Sequence, residues 1–302
     1  MQRVRRQIEI PEELGLQAGR GITVAVLDTG VGQHPDLEGR LIAFRDFVNR
    51  QDYRYDDSGH GTHVCGILCG SGALSRGRYQ GVAPGVNLVV GKVLDHNGDG
   101  RTEHMLEGLN WVLAEKEKYH IRILNISVGI GSLSERCKED ALRRQLEKVC
   151  ASGITVVCAA GNKGPGSGSI SLLGEGRDII TVGCHDGLFC RNDPKRCEIY
   201  SGRGRALSSL RKPDIVAPGT DITSCNAFCQ KNGGRVRYAY VSKSGTSMST
   251  PIISGVAALF FQRYPEANRE EFRQKLTFTA TDLGEEWNKQ GWGLVNVRRL
   301  LK

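Results

Sequence analysis

The chain has 302 residues and a formal net charge of +8, from 41 Lys and Arg against 33 Asp and Glu. This length can bury a large apolar core, and α/β proteins of this size commonly form one domain. The basic residues are scattered, with no recognisable nucleic-acid-binding motif, so they predict a solvated surface and no nucleic-acid partner. No apolar run reaches the length of a membrane-spanning helix, which predicts no membrane partner.

Apolar runs and helical patterns alternate along the chain. Apolar runs at 22–27, 88–94, 123–128, 155–160 and 179–183 are typical of fully buried strands. Helical periodicity is seen at 102–118, 135–151 and 269–278. The alternation predicts an α/β fold, a mostly parallel sheet flanked by helices on both faces. We find no repeat or linker and expect residues 1–302 to form one domain.

Three polar residues stand out in chain order. Asp28 ends the first predicted strand, and His60 lies between two glycines at the start of a small-residue segment. Ser247 follows Gly245 at the start of an apolar helix, where the helix N-terminus stabilises negative charge. Taken singly, the three are typical of a turn residue, a structural histidine and an N-cap serine. Together they suggest acyl transfer, because a serine nucleophile needs a base within hydrogen-bond reach.

Five short blocks carry a resemblance to a known family. They are Val26-Leu27-Asp28-Thr29-Gly30, His60-Gly61-Thr62-His63-Val64, Ala159-Ala160-Gly161-Asn162, Lys212-Pro213-Asp214-Ile215-Val216-Ala217-Pro218-Gly219 and Gly245-Thr246-Ser247-Met248-Ser249-Thr250-Pro251. In these blocks and their order the chain resembles the subtilisin-like serine proteases, or subtilases. Residues 75–84 are similar to a stretch of the intracellular AprX-type bacterial branch. The resemblance implies the subtilisin-like fold and a serine endopeptidase.

The resemblance also assigns roles to residues. It implies that His60 is the general base for Ser247, that Asp28 orients the imidazole, and that the Asn162 side chain donates to the oxyanion. Asn162 alone would be interpreted as a turn residue before a glycine- and proline-rich stretch. No cofactor is required for this chemistry. The rival hypothesis is a subtilase scaffold that binds peptides without cutting them, and the presence of all four residues argues against it.

The substrate groove is also inferred from the resemblance. Its walls are expected from Ser127, Val128, Gly129, Ala159, Ala160 and Gly161, with Lys163 at the rim. The strands that carry these residues are expected to pair with extended peptide at their edges. Gly129 alone would be interpreted as a strand terminator. Small, backbone-rich walls predict broad specificity with a large apolar side chain before the scissile bond, and the expected partners are peptides or unfolded proteins.

Metal binding is predicted only weakly. Asp36 matches one ligand position of the structural calcium that many subtilases bind, but the other ligands are not legible. Residues 95–100 resemble the start of an EF-hand loop, yet Leu106 stands where the bidentate glutamate is needed. Cys225 and Cys229 form a pair without a histidine in the sequence nearby. We therefore predict no catalytic metal and leave structural calcium open.

Cysteine usage and the N-terminus bear on location. The ten cysteines show no paired spacing, so free thiols in a reducing cytosol are the simpler interpretation. Residues 1–20 form an N-terminal extension with no recognisable signal peptide, since no apolar segment follows its basic start. The extension is also too short for the prodomain of secreted subtilases. We expect a cytoplasmic protein; the alternative is secretion after removal of a precursor segment. The oligomeric state is not predicted.

Overall fold

A computed structural model describes residues 1–128, 136–187, 196–205, 208–232 and 235–302. Each predicted strand is present, with ends shifted by at most two residues. The strands are β1 (Thr23–Asp28), β2 (Leu41–Asp46), β3 (Asn87–Lys92), β4 (Ile121–Ile126), β5 (Thr155–Ala159), β6 (Ile180–Cys184), β7 (Ile215–Ala217), β8 (Ile222–Cys225), β9 (Gln230–Asn232), β10 (Arg235–Arg237) and β11 (Tyr240–Lys243).

Seven strands form one parallel sheet in the order β2-β3-β1-β4-β5-β6-β7. The predicted fold class is confirmed. β4 and β5 lie inside the sheet and pair on both sides. Pairing of these segments with a peptide stays a prediction, and it can involve only residues beyond the strand ends, because the strands themselves are paired on both sides. Two antiparallel pairs, β9–β10 and β8–β11, complete the strands.

Helices cover both faces of the sheet. Alternate residues of β1 enter two separate cores: Val24 and Val26 join the core under α2 and α6, whereas Ala25 and Leu27 join the core under α3 and α5. The helices are α1 (Gln2–Gln7), α2 (His60–Cys69), α3 (Thr102–Ala114), α4 (Lys116–Tyr119), α5 (Arg136–Ala151), α6 (Thr246–Arg263), α7 (Arg269–Phe278), α8 (Trp287–Gln290) and α9 (Val297–Leu300). In the described residues none is long and apolar enough to cross a membrane.

The N-terminal residues pack against the rest of the chain. Val4, Ile8 and Ile10 are buried in the same core as α2 and α6. The Ile8 carbonyl accepts a hydrogen bond of 2.8 Å from the Val297 amide at the start of α9. Residues 1–10 are thus part of the core and tie the two chain ends together.

The cysteines divide into one pair and a set of free thiols. Cys184 and Cys197 form a disulfide with their Cα atoms 5.8 Å apart, so the prediction of free thiols is wrong for this pair. Among the other described cysteines, six are free thiols: Cys65, Cys69, Cys137, Cys150, Cys158 and Cys225. Burial raises the pKa of the Cys69 thiol to about 12, which keeps it protonated.

Candidate active site

The fold places Asp28 and His60 together at the carboxyl end of the sheet, where open α/β sheets hold their sites. Asp28 is the last residue of β1, and α2 begins at His60 after Gly59, whose φ of 78° suits glycine. Asp28 Oδ1 accepts a hydrogen bond of 2.7 Å from His60 Nδ1 and one of 2.7 Å from the Thr29 amide. With its proton on Nδ1, the neutral imidazole has Nε2 as an acceptor.

The environment of His60 favours its protonated form. Burial lowers the pKa of His60, but the charge of Asp28 and its hydrogen bond outweigh burial, so the pKa lies above its ordinary value. Asp28 is fully buried, whereas 23% of the His60 side chain is exposed. The buried carboxylate can therefore stabilise an imidazolium that a substrate can still reach.

A second carboxylate, Asp56, fastens the start of α2. Its Oδ1 accepts hydrogen bonds from the Thr29 hydroxyl at 2.8 Å, the Ser58 amide at 3.2 Å and the Gly59 amide at 2.7 Å. Its Oδ2 accepts from the Thr62 amide at 2.7 Å and the Thr62 hydroxyl at 2.6 Å. Five donors on one buried carboxylate satisfy the unpaired amides of the helix start. Asp56 thus fixes the loop on which His60 is presented.

Thr29 joins this loop to β1. Its hydroxyl donates to Asp56 and accepts from the Gly61 amide at 2.9 Å, while its own amide binds Asp28. Asp28 and His60 are therefore tied to each other through Thr29 and Asp56 as well as directly. Sequence reasoning missed both residues; the only signal was the position of Asp56 four residues before a helix, since Asp commonly satisfies helix-start amides.

Ser247 lies in the first turn of α6, after Gly245 with a φ of 143°. It is half-buried, and the Ser247 and His60 side chains make no direct hydrogen bond. Catalytic hydrogen bonds are often long before substrate binds. α2 and α6 pack against each other, and Lys243, four residues before Ser247, acts electrostatically on His60. The two predicted catalytic side chains thus come from neighbouring helix starts.

Asn162 follows β5 and contacts the turn that carries Ser247. Its Oδ1 accepts hydrogen bonds of 3.1 Å from both the amide and the hydroxyl of Thr246. The Thr246 hydroxyl in turn accepts from the Gly161 amide at 3.2 Å. Because Oδ1 is held by an N–H donor, the orientation of the amide is fixed and Nδ2 points away from Thr246. Asn162 is exposed, so Nδ2 can donate to a substrate oxygen.

The predicted groove residues differ in what they can offer. Ser127 is buried and its hydroxyl accepts from Asn125 Nδ2 at 2.9 Å, so only its backbone can face a substrate. Val128 is half-buried, and Gly129 lies outside the described residues. Ala159 is buried. The Ala160 amide and carbonyl bind Val182 and Ser171, which leaves this segment as a wall without free backbone groups.

Gly161 and Lys163 border Asn162. Gly161 has a φ of 90°, and a Cβ there would lie 3.3 Å from the Cβ of Ser171. Ser171 donates a hydrogen bond of 2.8 Å to the Ala159 carbonyl and so supports the wall from behind. Lys163 is exposed, as expected for a rim residue. Sequence reasoning missed Ser171, for which no local signal exists.

Asp36 does not fit the calcium ligand that the resemblance suggested. Its Oδ1 accepts from the Leu74 amide at 3.1 Å and its Oδ2 from the Tyr240 hydroxyl at 2.6 Å. The neighbouring side chains, His34 and Cys225, offer nitrogen and sulfur, whereas calcium takes oxygen ligands. His34 Nδ1 accepts from the Asp36 amide and its Nε2 donates to the Ala239 carbonyl. Cys225 thus has a histidine neighbour that the sequence did not reveal, but both nitrogens of that histidine are occupied.

Comparison with known proteins supplies the family. The model of the subtilase family matches residues 19–293. Serine protease AprX of Bacillus subtilis (strain 168) is 41% identical over 291 residues, which cover 92% of this chain and 66% of that protein. Subtilisin DY of Bacillus licheniformis is 33% identical over 287 residues, which cover 92% of this chain and 90% of that protein.

A solved structure agrees with the fold. Sphericase superposes with a TM-score of 0.81 at 27% sequence identity, covering 97% of each chain. The family match extends from residue 19, before β1, to residue 293, after α8. Asp28, His60, Asn162 and Ser247 all lie within it. This chain therefore belongs to the subtilase family of serine proteases.

Proposed function

We propose that this chain is a serine endopeptidase that cuts peptide bonds through an acyl-enzyme on Ser247. The observation that carries the proposal is the 2.7 Å hydrogen bond between Asp28 Oδ1 and His60 Nδ1, which leaves Nε2 as the acceptor. A buried carboxylate paired with a partly exposed imidazole is the arrangement that general-base activation of a serine requires.

In the proposed reaction His60 carries each proton that is transferred. His60 Nε2 takes the proton from Ser247 Oγ as Oγ attacks the scissile carbonyl, and the imidazolium then gives this proton to the leaving amine. In the second half, His60 takes a proton from the water that attacks the acyl-enzyme. The imidazolium then gives this proton to Ser247 Oγ as the C–O bond breaks, which releases the carboxylic acid and free Ser247. Asp28 remains a carboxylate throughout and stabilises the imidazolium.

Asn162 supplies the proposed oxyanion donor. Thr246 holds its Oδ1 through two hydrogen bonds, so Nδ2 needs no reorientation when the tetrahedral intermediate forms. A donor that is oriented in advance stabilises charge in the transition state more than in the bound substrate. The α6 N-terminus adds a favourable dipole on the same side of Ser247.

The proposed substrates are exposed or unfolded peptide segments with a large apolar side chain before the scissile bond. Support comes from the small buried wall at Ala159 and Ala160, backed by Ser171. The enzyme is proposed to act in the cytoplasm, with secretion after precursor removal as the alternative. We propose no calcium at Asp36, since both carboxylate oxygens already accept protein hydrogen bonds.

A fluorophosphonate probe with peptide mapping tests the function. It should label Ser247, and Ser247→Ala should lose both labelling and peptide hydrolysis while its melting temperature stays close to wild type. Ser244→Ala is the matched control, because Ser244 lies three residues away and accepts only from the Asp221 amide. Peptide binding without labelling of wild-type protein would instead support the non-cutting scaffold.

A further inference from the structure

Lys243 is a half-buried cation close to the proposed nucleophile. It is the last residue of β11 and lies four residues before Ser247. In the β8–β11 pair it stands opposite Ile222. Within the described part of the chain, the Lys243 ammonium forms no hydrogen bond or ion pair. Lys92, by contrast, is buried, and its ammonium binds the Thr29 carbonyl, the Leu94 carbonyl and the Asp57 carboxylate.

The hairpin that carries Lys243 lies along α2. His63 Nε2 contacts the carbonyl oxygens of Ile222 at 2.9 Å and Val241 at 3.1 Å. Lys243 is two residues beyond Val241, on the same side of β11 and nearer to the Ser247 turn. His60 is one helical turn before His63, so the hairpin register places Lys243 near the start of α2.

Electrostatics supports this proximity. Burial lowers the pKa of His60, Asp28 raises it, and the charge of Lys243 acts against that of Asp28. Burial lowers the pKa of His63 to about 3, and Lys243 acts in the same direction there. A charge that influences both histidines lies beside the α2 start.

The two sides of the scissile bond in a bound peptide contact different residues of the enzyme. The acyl part must place its oxygen on Asn162 and its side chain against the wall at Ala159 and Ala160. The leaving amine must lie where His60 can protonate it. A group close to His60 can therefore contact the leaving-group side. Phe228 lies there too: its ring is 3.0 Å from where a Cβ at Gly59 would be, and 57% of Phe228 is exposed.

We propose that Lys243 makes this enzyme select an acidic residue immediately after the scissile bond, with Phe228 bordering the same subsite. The inference rests on the proposed endopeptidase function and adds a substrate class to it. An unpaired cation in a partly water-excluded cleft gains more from a carboxylate than an exposed surface lysine does. A carboxylate there pairs with Lys243, whereas a substrate lysine is repelled.

Internally quenched peptides test the proposal. They share one acyl side and carry Glu, Gln or Lys directly after the scissile bond. For wild type at low salt we expect kcat/KM in the order Glu, Gln, Lys, with about a tenfold span between Glu and Lys. The span should shrink to about twofold near 0.5 M salt, since screening weakens a cleft charge. Lys243→Met should remove the order, and Lys243→Glu should reverse it.

Two controls make the result interpretable. An anilide with the same acyl side and no residue after the scissile bond reports the triad alone. Its hydrolysis, lost in Ser247→Ala, keeps the endopeptidase function standing even if Lys243 has no selective role. Lys163→Met removes the cation beside Asn162 and should leave the Glu-to-Lys ratio unchanged. An equal kcat/KM for all three peptides in wild type, or an unaltered ratio in Lys243→Glu, would overturn the proposal.

Discussion

The starts of α2 and α6 are alike in backbone geometry but differ in the partners of their amides. Each helix follows a glycine with positive φ and presents a reactive side chain in its first turn, His60 in α2 and Ser247 in α6. At α2 the helix amides are occupied by the Asp56 carboxylate. At α6 the first amide, that of Thr246, binds a neutral partner, the Asn162 side chain.

Because their amides have different partners, the two helix starts stabilise different charges. A helix N-terminus carries partial positive charge that favours an anion. At α2 a permanent carboxylate meets this charge, which favours an imidazolium on His60. At α6 no carboxylate of the described residues binds the helix amides, so the charge remains for an oxyanion that exists only during the reaction. One helix start is organised for the base and the other for the transition state.

The largest effect is expected from removing the neutral partner at α6. Asn162→Ala should lower kcat about 100- to 1,000-fold and change KM by less than about threefold, because its donor bond forms chiefly in the transition state. Steady-state kinetics on an apolar anilide measures both constants. Thr246→Ser keeps the hydroxyl that holds Asn162 and should retain most activity, whereas Thr246→Val should lose part of it. A rise confined to KM in Asn162→Ala would contradict the oxyanion role.

A smaller effect is expected from loosening the α2 side. Thr29→Val keeps the shape of the side chain but removes the hydroxyl between Asp56 and the Gly61 amide, so kcat should fall about tenfold. Thr29→Ser retains the hydroxyl and should stay within about twofold of wild type. Thermal unfolding of both variants separates positioning from stability. Equal kcat for the two variants would show that the bridge does not orient His60.

The pH dependence sharpens the comparison further. The neutral form of His60 is active and its pKa is raised, so the acid limb of kcat/KM should lie above the ordinary value of 6.5. Stability has the opposite sign: protonation of His60 stabilises the fold below its unfolded pKa, and this contribution is lost as pH rises through the folded pKa. A midpoint below 6.5 would contradict the influence of Asp28.

Asp56 supplies a variant for this measurement. Burial and Asp28 have the larger influences on the pKa of His60, but the charge of Asp56 also raises it, so Asp56→Asn should move the acid limb to lower pH. Asp57→Asn is the matched control, since Asp57 pairs with Lys92 instead. The control should leave the limb in place. The same shift in both variants would point to a general loss of negative charge.

The sequence predicted the framework because the framework is local. Apolar runs marked β1, β3, β4, β5 and β6 but missed β2, most of whose residues are only half-buried or exposed. The helical pattern at 102–118 was right except that α3 ends at Ala114 and a separate short helix follows. The three-residue strand β7 was too short for periodicity to reveal. Asp28, His60, Asn162 and Ser247 were nominated from motifs, and the structure brings Asp28 to His60 and Asn162 to the Ser247 turn.

The residues that were missed act across the chain. Thr29 and Asp56 are 27 positions apart, and their bond depends on the path of the loop between β2 and α2. Ser171 reaches Ala159 only because its loop folds back under β5. Lys243 is near His60 because β11 pairs with β8. Sequence spacing does not reveal such contacts, and it does not reveal the hydrogen bond between Asp36 and Tyr240, which lies 204 positions away.

The smallest effect is expected at Lys163, on the acyl side beyond Asn162. Wild type should prefer Phe, Tyr, Leu or Met before the scissile bond, because the wall at Ala159 and Ala160 is small and apolar. Lys163 is exposed, so Lys163→Glu should improve cleavage after Lys by only about two- to fivefold at low salt, and by less as salt screens the charge. Peptide-library profiling of wild type, Lys163→Glu and the neutral control Lys163→Gln measures this. A wild-type preference for Lys or Arg would contradict the apolar wall and would mean that an acidic group in this groove governs selection on the acyl side. An unchanged profile in Lys163→Glu would mean that the apolar wall alone determines which side chain is accepted there.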